Sequence, residues 1–178
     1  MPAATDSRPP ALFVGLFPDG EALQAIEAHR AAWWWTRPAA RRQPRAHRLH
    51  LTLAHLGPQD DSAFGRLRTA LQGVRMEPFD LHLDRAEVWT RNGVAVLRPA
   101  PSEALARLHR RIAAALGLAA PAGWQPHLTL ARDAWEAAAP PVEPPIAWPV
   151  REFVLVRSWL PPHPARHEVL LRRPLDGP

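Results

Sequence analysis

The feature that most constrains this chain is a pentapeptide that occurs twice, His50-Leu51-Thr52-Leu53-Ala54 and His127-Leu128-Thr129-Leu130-Ala131, 77 residues apart. In an extended strand successive side chains take opposite faces, so each His and Thr share one face and the two leucines the other. The leucine face belongs in a core, and the polar face is free for chemistry. An imidazole can move a proton while a neighbouring hydroxyl donates a hydrogen bond to the same phosphate-sized group. A single strand of this kind is ordinary, but its repetition inside a repeated framework is not expected from packing alone. Val14 to His50 spans 36 residues and Val94 to His127 spans 33; His50 to Phe79 spans 29 and His127 to Phe153 spans 26. The spacing predicts a duplicated strand-helix-motif unit, with repeats of roughly 11–90 and 91–175 interlocked in one bilobal domain over residues 1–178. A pseudo-two-fold axis would bring the motif strands together in a cleft between the lobes.

The rest of the chain supplies the elements for such a unit. Ala11 to Phe17 is a short apolar run between prolines and reads as a buried strand. A helix is expected from Asp19, suited to its cap, to about Trp35, followed by a Pro- and Arg-rich loop over Thr36 to His47. The first motif strand is expected over Leu49 to Leu56, a second helix over Asp61 to Val74, and strands over Phe79 to Trp89 and Val94 to Leu97. Ser102 caps a third helix that ends near Leu116 before Gly117, and the second motif strand runs from His127 to Arg132. Asp133 to Pro149 is expected to be a loop, and Arg151 to Leu160 and His167 to Arg172 two closing strands. The fold class is α+β: two pseudo-symmetric lobes, each an antiparallel-rich sheet with helices on its outer face.

Composition narrows the chemistry. With no cysteine, thiol nucleophiles, thiolate metal sites and disulfides are excluded. No apolar run is long enough to span a membrane and Met1 to Pro10 lacks the pattern of a signal peptide, so a cytoplasmic protein is expected. All 22 basic residues are arginine, at a net charge of +5. Genome bias accounts for that preference as well as phosphate recognition does. The distribution says more: between Glu27 and Asp60 there is no acidic residue but there are Arg30, Arg37, Arg41, Arg42, Arg45 and Arg48, a basic approach to the first motif that favours an anionic substrate. Three consecutive indoles, Trp33, Trp34 and Trp35, cannot all face one core; either one lies in a groove where it can stack on a base, or the run packs beneath the following loop.

The segments HLTLAHLG (His50 to Gly57), HLTLAR (His127 to Arg132) and PVREFVLVRSWL, with LFVGLFPD and LHRRIAAALG, resemble the 2H phosphoesterases over nearly the whole chain. The likeness is to the bacterial and archaeal RNA 2',3'-cyclic phosphodiesterases historically called 2'-5' RNA ligases. His55 departs from the family's usual aromatic residue and is expected to alter packing only. The resemblance implies His50 as proton donor to the departing 3' oxygen and His127 as proton acceptor activating water; the residues alone leave that assignment open. It implies Thr52 and Thr129 as ligands of the non-bridging oxygens, and Arg132 is placed to neutralise charge there, with a plain surface role as the alternative. No cofactor and no metal is implied, the partner is RNA with a 2',3'-cyclic phosphate end, and two fused lobes make a monomer sufficient.

The remaining histidines receive less weight. His82, His109, His163 and His167 have no partner at meaningful spacing and are expected to face solvent or to be satisfied in packing; His47 is expected to decorate a loop. A zinc site of His50, His55 and His127 fails because His50 and His55 stand on opposite strand faces. A non-catalytic binder of RNA ends and a reversible 2'-5' RNA ligase are the competing functions.

Overall fold

The structure, a computed structural model, describes residues 10–159 and 166–177. Among the described residues it has eight strands and four α-helices. Strand β1 (Ala11–Leu16) leads through helix α1 (Gly20–Ala31) and a short helix α2 (Arg37–Arg41) to β2 (Leu51–Pro58), which carries the first motif. After α3 (Asp61–Gln72) and β3 (Phe79–Trp89), the second unit runs β4 (Val94–Pro99), α4 (Glu103–Ala115) and β5 (Leu128–Ala131) with the second motif. Strands β6 (Ile146–Val150), β7 (Glu152–Trp159) and β8 (Arg166–Pro174) close the chain.

All eight strands join one antiparallel sheet in the order β6-β3-β4-β5-β2-β1-β7-β8. The motif strands are its central neighbours, and a single pair, Leu51 opposite Leu128, joins them. Each half-sheet therefore reads outward from its motif strand to the strand that opened the same unit. The outer strands cross over, however: β3 sits beside β4, and β7 and β8 return to β1. The helices cross as well, α1 packing against β6 and α4 against β2.

The leucine faces of both motifs are core, as the alternation requires: Leu51, Leu53, Leu128 and Leu130 are all at most 1% exposed. Leu105, Leu108 and Ile112 of α4 are buried at helical spacing, and the Ser102 hydroxyl accepts from the Leu105 N–H at 3.2 Å. Asp60 caps α3 in the same way, accepting from Ala63 at 2.9 Å. Asp19 does stand at the cap of α1, but its side chain makes no capping bond.

Three sequence expectations change. The first helix ends at Ala31, short of Trp35, because Trp34 instead pairs its backbone with Ala138 in an isolated bridge. The loop after it contains α2, started by Thr36 with Pro38 in its first turn, and a 3-10 turn at Ala46–Arg48. The stretch read as loop up to Pro149 ends in the regular strand β6, where Ile146, Trp148 and Val150 are buried alternately. β6 is an edge strand, the position in a sheet where a proline such as Pro149 is tolerated.

Candidate active site

His50 and His127 each stand one residue before their strands, and both make the same bond to the local backbone. His50 Nδ1 bonds the Arg48 carbonyl at 2.7 Å and His127 Nδ1 bonds the Gln125 carbonyl at 2.9 Å. A carbonyl only accepts, so in both rings Nδ1 carries hydrogen and Nε2 is left to act on a ligand. Past the Leu51–Leu128 pair the motif strands part. The opening is a cavity of about 650 Å³ lined by Thr52, His55 and His127, with Trp89, His109 and Trp124 among its walls.

His50 is set deeper. Its ring stacks on Phe13 (centroids 4.6 Å apart, 26° between planes) and on Phe17 (5.3 Å, 24°), and meets His167 edge-on at 5.2 Å. Phe13 and Phe17 share a face of the chain with Gly15 between them. A Cβ at Gly15 would lie 3.0 Å from the Leu51 carbonyl and 3.1 Å from the Phe13 ring, so glycine is what lets β1 approach the motif this closely without displacing either. His127 instead packs on Trp89 at 4.5 Å. Glu87 fixes that indole by accepting from Trp89 Nε1 at 2.8 Å, and Arg98 pairs with the same carboxylate oxygen at 2.9 Å.

These surroundings bias both imidazoles toward the neutral form. Burial is the main cause for His50, and the positive charge of Arg48 and the nearness of His127 add to it against the opposing pull of the Arg48 carbonyl. Burial likewise leads for His127, with Arg98 and Arg132 adding their charge and the Gln125 carbonyl opposing. An anionic ligand between them reverses the balance, because its charge stabilises each protonated ring.

The structure thus brings Thr52 and His127 into one cavity and His50 within electrostatic reach of His127. Thr129 is half-buried on β5 opposite Val96. Arg132 is exposed at the end of the motif; its N–H donates to the Arg42 carbonyl at 3.3 Å and its guanidinium acts on His127. His55 is not a packing residue: β1 and β2 slip register on both sides of Val14, which breaks the strict alternation, and His55 is exposed at the cavity wall. His167, expected to face solvent or to be satisfied in packing, is instead half-buried beside His50 with no partner for its Nδ1 among the described residues, since nothing local in the sequence shows that β8 lies beside the first motif. Burial and the nearby His50, Arg48 and His47 push its pKa down to about 3. His109 is buried, donates from Nδ1 to the Leu53 carbonyl at 2.8 Å and stacks on Trp124 at 3.8 Å, so it anchors the motif strand from α4. His47 and His82 are exposed, and His163 lies outside the described residues. The alternate aromatics of LFVGLF were the one sequence signal that could have revealed the wall behind His50.

Residues 18–160 match the family described as the 2'-5' RNA ligase superfamily. The chain belongs to that superfamily. A relative named RNA 2',3'-cyclic phosphodiesterase, from Escherichia coli (strain K12), is 35% identical over 159 residues, which is 85% of this chain and 89% of that protein. Among solved structures, E. coli LigT complexed with NADP+ superposes with a TM-score of 0.82 at 30% identity, covering 94% of this chain and 98% of LigT. A Thermus thermophilus protein gives 0.71 at 28% identity, again over 94% and 98%. The resemblance read from the motifs is therefore correct at the level of the family, and so is the α+β fold. None of the described helices is long and apolar enough to cross a membrane.

Proposed function

We propose that this member of the superfamily hydrolyses RNA 2',3'-cyclic phosphate ends to 2'-phosphomonoesters, with His50 and His127 as acid and base. The observation that supports the reading is the matched pair of Nδ1 bonds, which leave Nε2 of each ring free, on residues that enter neighbouring strands. In the reaction His127 Nε2 takes a proton from water, the water oxygen forms a bond to phosphorus, and the bond from phosphorus to the 3' oxygen breaks. That oxygen leaves with the proton from His50 Nε2, so one water is added and the rings have exchanged protonation states. Thr52 and Thr129 donate to the non-bridging oxygens, and Arg132 offsets the charge that grows there. The E. coli relative's name supports the substrate, and two neighbouring imidazoles biased toward the neutral form, which a bound anion would help to protonate, support the chemistry.

The test is to incubate the protein with a short RNA ending in a 2',3'-cyclic phosphate, in EDTA, and to identify the product chromatographically. A 2'-phosphate is expected. A 3'-phosphate would overturn the assignment of the leaving oxygen, and unchanged RNA from pH 5 to 9 would replace hydrolysis with non-catalytic binding of RNA ends.

A further inference from the structure

Two of the few large apolar side chains that stand in solvent, Trp34 at 61% exposure and Trp135 at 54%, lie on segments bonded to one another. Trp34 and Ala138 exchange backbone hydrogen bonds at 3.1 Å in both directions. Farther along the same antiparallel seam Thr36 donates to the Asp133 carbonyl at 3.5 Å, Arg42 pairs with the Asp133 carboxylate at 3.3 Å, and the Arg132 N–H reaches the Arg42 carbonyl. The seam therefore runs from the end of the second motif, at Arg132, outward to the exposed indoles.

Trp34 is held by its backbone and Trp135 by its ring. Trp34 stands between Trp33, which is buried, and Trp35, which stacks on Trp33 at 4.7 Å with the rings 5° from parallel. Trp135 lies flat on Gly93, where a Cβ would come within 2.5 Å of its ring, and Gly93 closes the turn that begins at Trp89, the indole against His127. One face of Trp135 is thus pinned and the other is open. Around them Arg37, Arg41 and Arg132 are exposed and make no ion pair among the described residues. Asp133 is already engaged by Arg42, which leaves Glu136 as the one carboxylate beside Trp135 on this segment.

Exposed aromatic faces beside unpaired guanidinium groups, leading away from the proposed phosphate site, are the chemistry that holds single-stranded nucleic acid. We infer that the seam of Trp34, Trp135, Arg37 and Arg41 is a track for single-stranded RNA on the 5' side of the terminal cyclic phosphate. The inference rests on the hydrolytic reading for its direction, since the reacting end lies at the motif and the strand must leave it. It makes the substrate an oligonucleotide: bases stack on the indoles and arginines take the backbone phosphates, so a mononucleotide cyclic phosphate forgoes these contacts.

Two measurements test it. The first is the Kd of a 5'-labelled decamer RNA with a 3'-hydroxyl end, read by fluorescence anisotropy at several salt concentrations for wild type, Trp34→Ala and the double variant Arg37→Gln/Arg41→Gln. The second is kcat/KM for a decamer with a 2',3'-cyclic phosphate end relative to 2',3'-cyclic AMP. Trp34→Ala is expected to weaken decamer binding about 5- to 100-fold, the range set by loss of one stacked base, and the double variant to weaken it by loss of phosphate contacts. The double variant is expected to flatten the salt dependence, and every variant to hydrolyse 2',3'-cyclic AMP as wild type does. Trp34 is exposed and its bridge is made by backbone, so its replacement leaves the fold intact. Decamer binding that is the same in wild type and both variants would overturn the track, and so would a decamer hydrolysed no better than 2',3'-cyclic AMP. If wild type cleaves neither substrate yet loses decamer binding in the variants, the track stands and the hydrolytic reading falls.

Discussion

His50 and His127 make the same bond: each donates from Nδ1 to the carbonyl two residues before it, Arg48 at 2.7 Å and Gln125 at 2.9 Å. A bond to the local backbone costs no long-range contact and fixes the tautomer, so the chain two residues ahead of each pentapeptide supplies the orienting device. The surroundings, by contrast, are unequal. Two phenylalanines and His167 crowd His50, whereas His127 meets one indole and the open cavity. Duplicated geometry in unlike environments is what lets two copies of one residue take different roles.

That inequality has a pH signature. Both rings are held below the ordinary imidazole pKa in the free protein, chiefly by burial. A reaction needing one ring protonated and one neutral peaks between the two pKa values, so kcat/KM is expected to peak below about pH 6.5 and to fall toward pH 8. Bound anionic substrate raises both values, so the kcat profile is expected to lie at higher pH than that of kcat/KM. Initial rates from pH 5 to 9 check this; a kcat/KM maximum above pH 7.5 contradicts it.

The two threonines are expected to act through hydrogen bonds alone. Thr52→Val and Thr129→Val keep shape and remove one donor each, and each is expected to lower kcat/KM about 10- to 100-fold. Urea midpoints should stay close to wild type, because both side chains are only half-buried. A pair of variants that matched wild type in kcat/KM would remove the threonines from the site.

Gly15 is expected to resist replacement for a packing reason. Alanine there would press the Leu51 carbonyl and the Phe13 ring, which backs His50. Gly15→Ala is expected to destabilise by about 1–3 kcal/mol, as overpacked cores do, and to lower kcat/KM through the displaced ring. Urea unfolding and steady-state kinetics on one preparation read both effects, and wild-type values for both would show that the strands have room.

His167 is expected to make the protein sensitive to acid. Its pKa is about 3 when folded and near 6.5 when unfolded, so its neutral form favours folding fully above pH 6.5, and that contribution is lost as pH falls toward 3. The urea midpoint should therefore drop between pH 7 and pH 4.5, and drop less in His167→Gln, which has no proton to gain. Equal drops in the two proteins would mean that the buried ring is not the cause.

How much of this was legible in the sequence depended on range. The motif strands, the leucine core face and the capped helices α3 and α4 follow from alternation and cap residues within a few positions of each other. Strand β6 did not, because Pro149 speaks against a ladder and only the edge position, a property of the whole sheet, makes it harmless. The walls of the site were hidden for the same reason. Phe13, His167 and Trp89 reach the two histidines from β1, β8 and the end of β3, and no local pattern announces which strands a sheet will lay side by side. The end of α1 was misjudged where the pairing of Trp34 with Ala138, more than a hundred residues on, overrode helical spacing.

The most direct test of the paired-histidine chemistry is kcat/KM for hydrolysis of a cyclic phosphate-ended RNA by His50→Ala, His127→Ala and the double variant. Two groups acting in one proton-transfer sequence fail together, so each single change is expected to cost about 10²- to 10⁴-fold and the double little more than the worse single. Either single variant within tenfold of wild type would contradict the account.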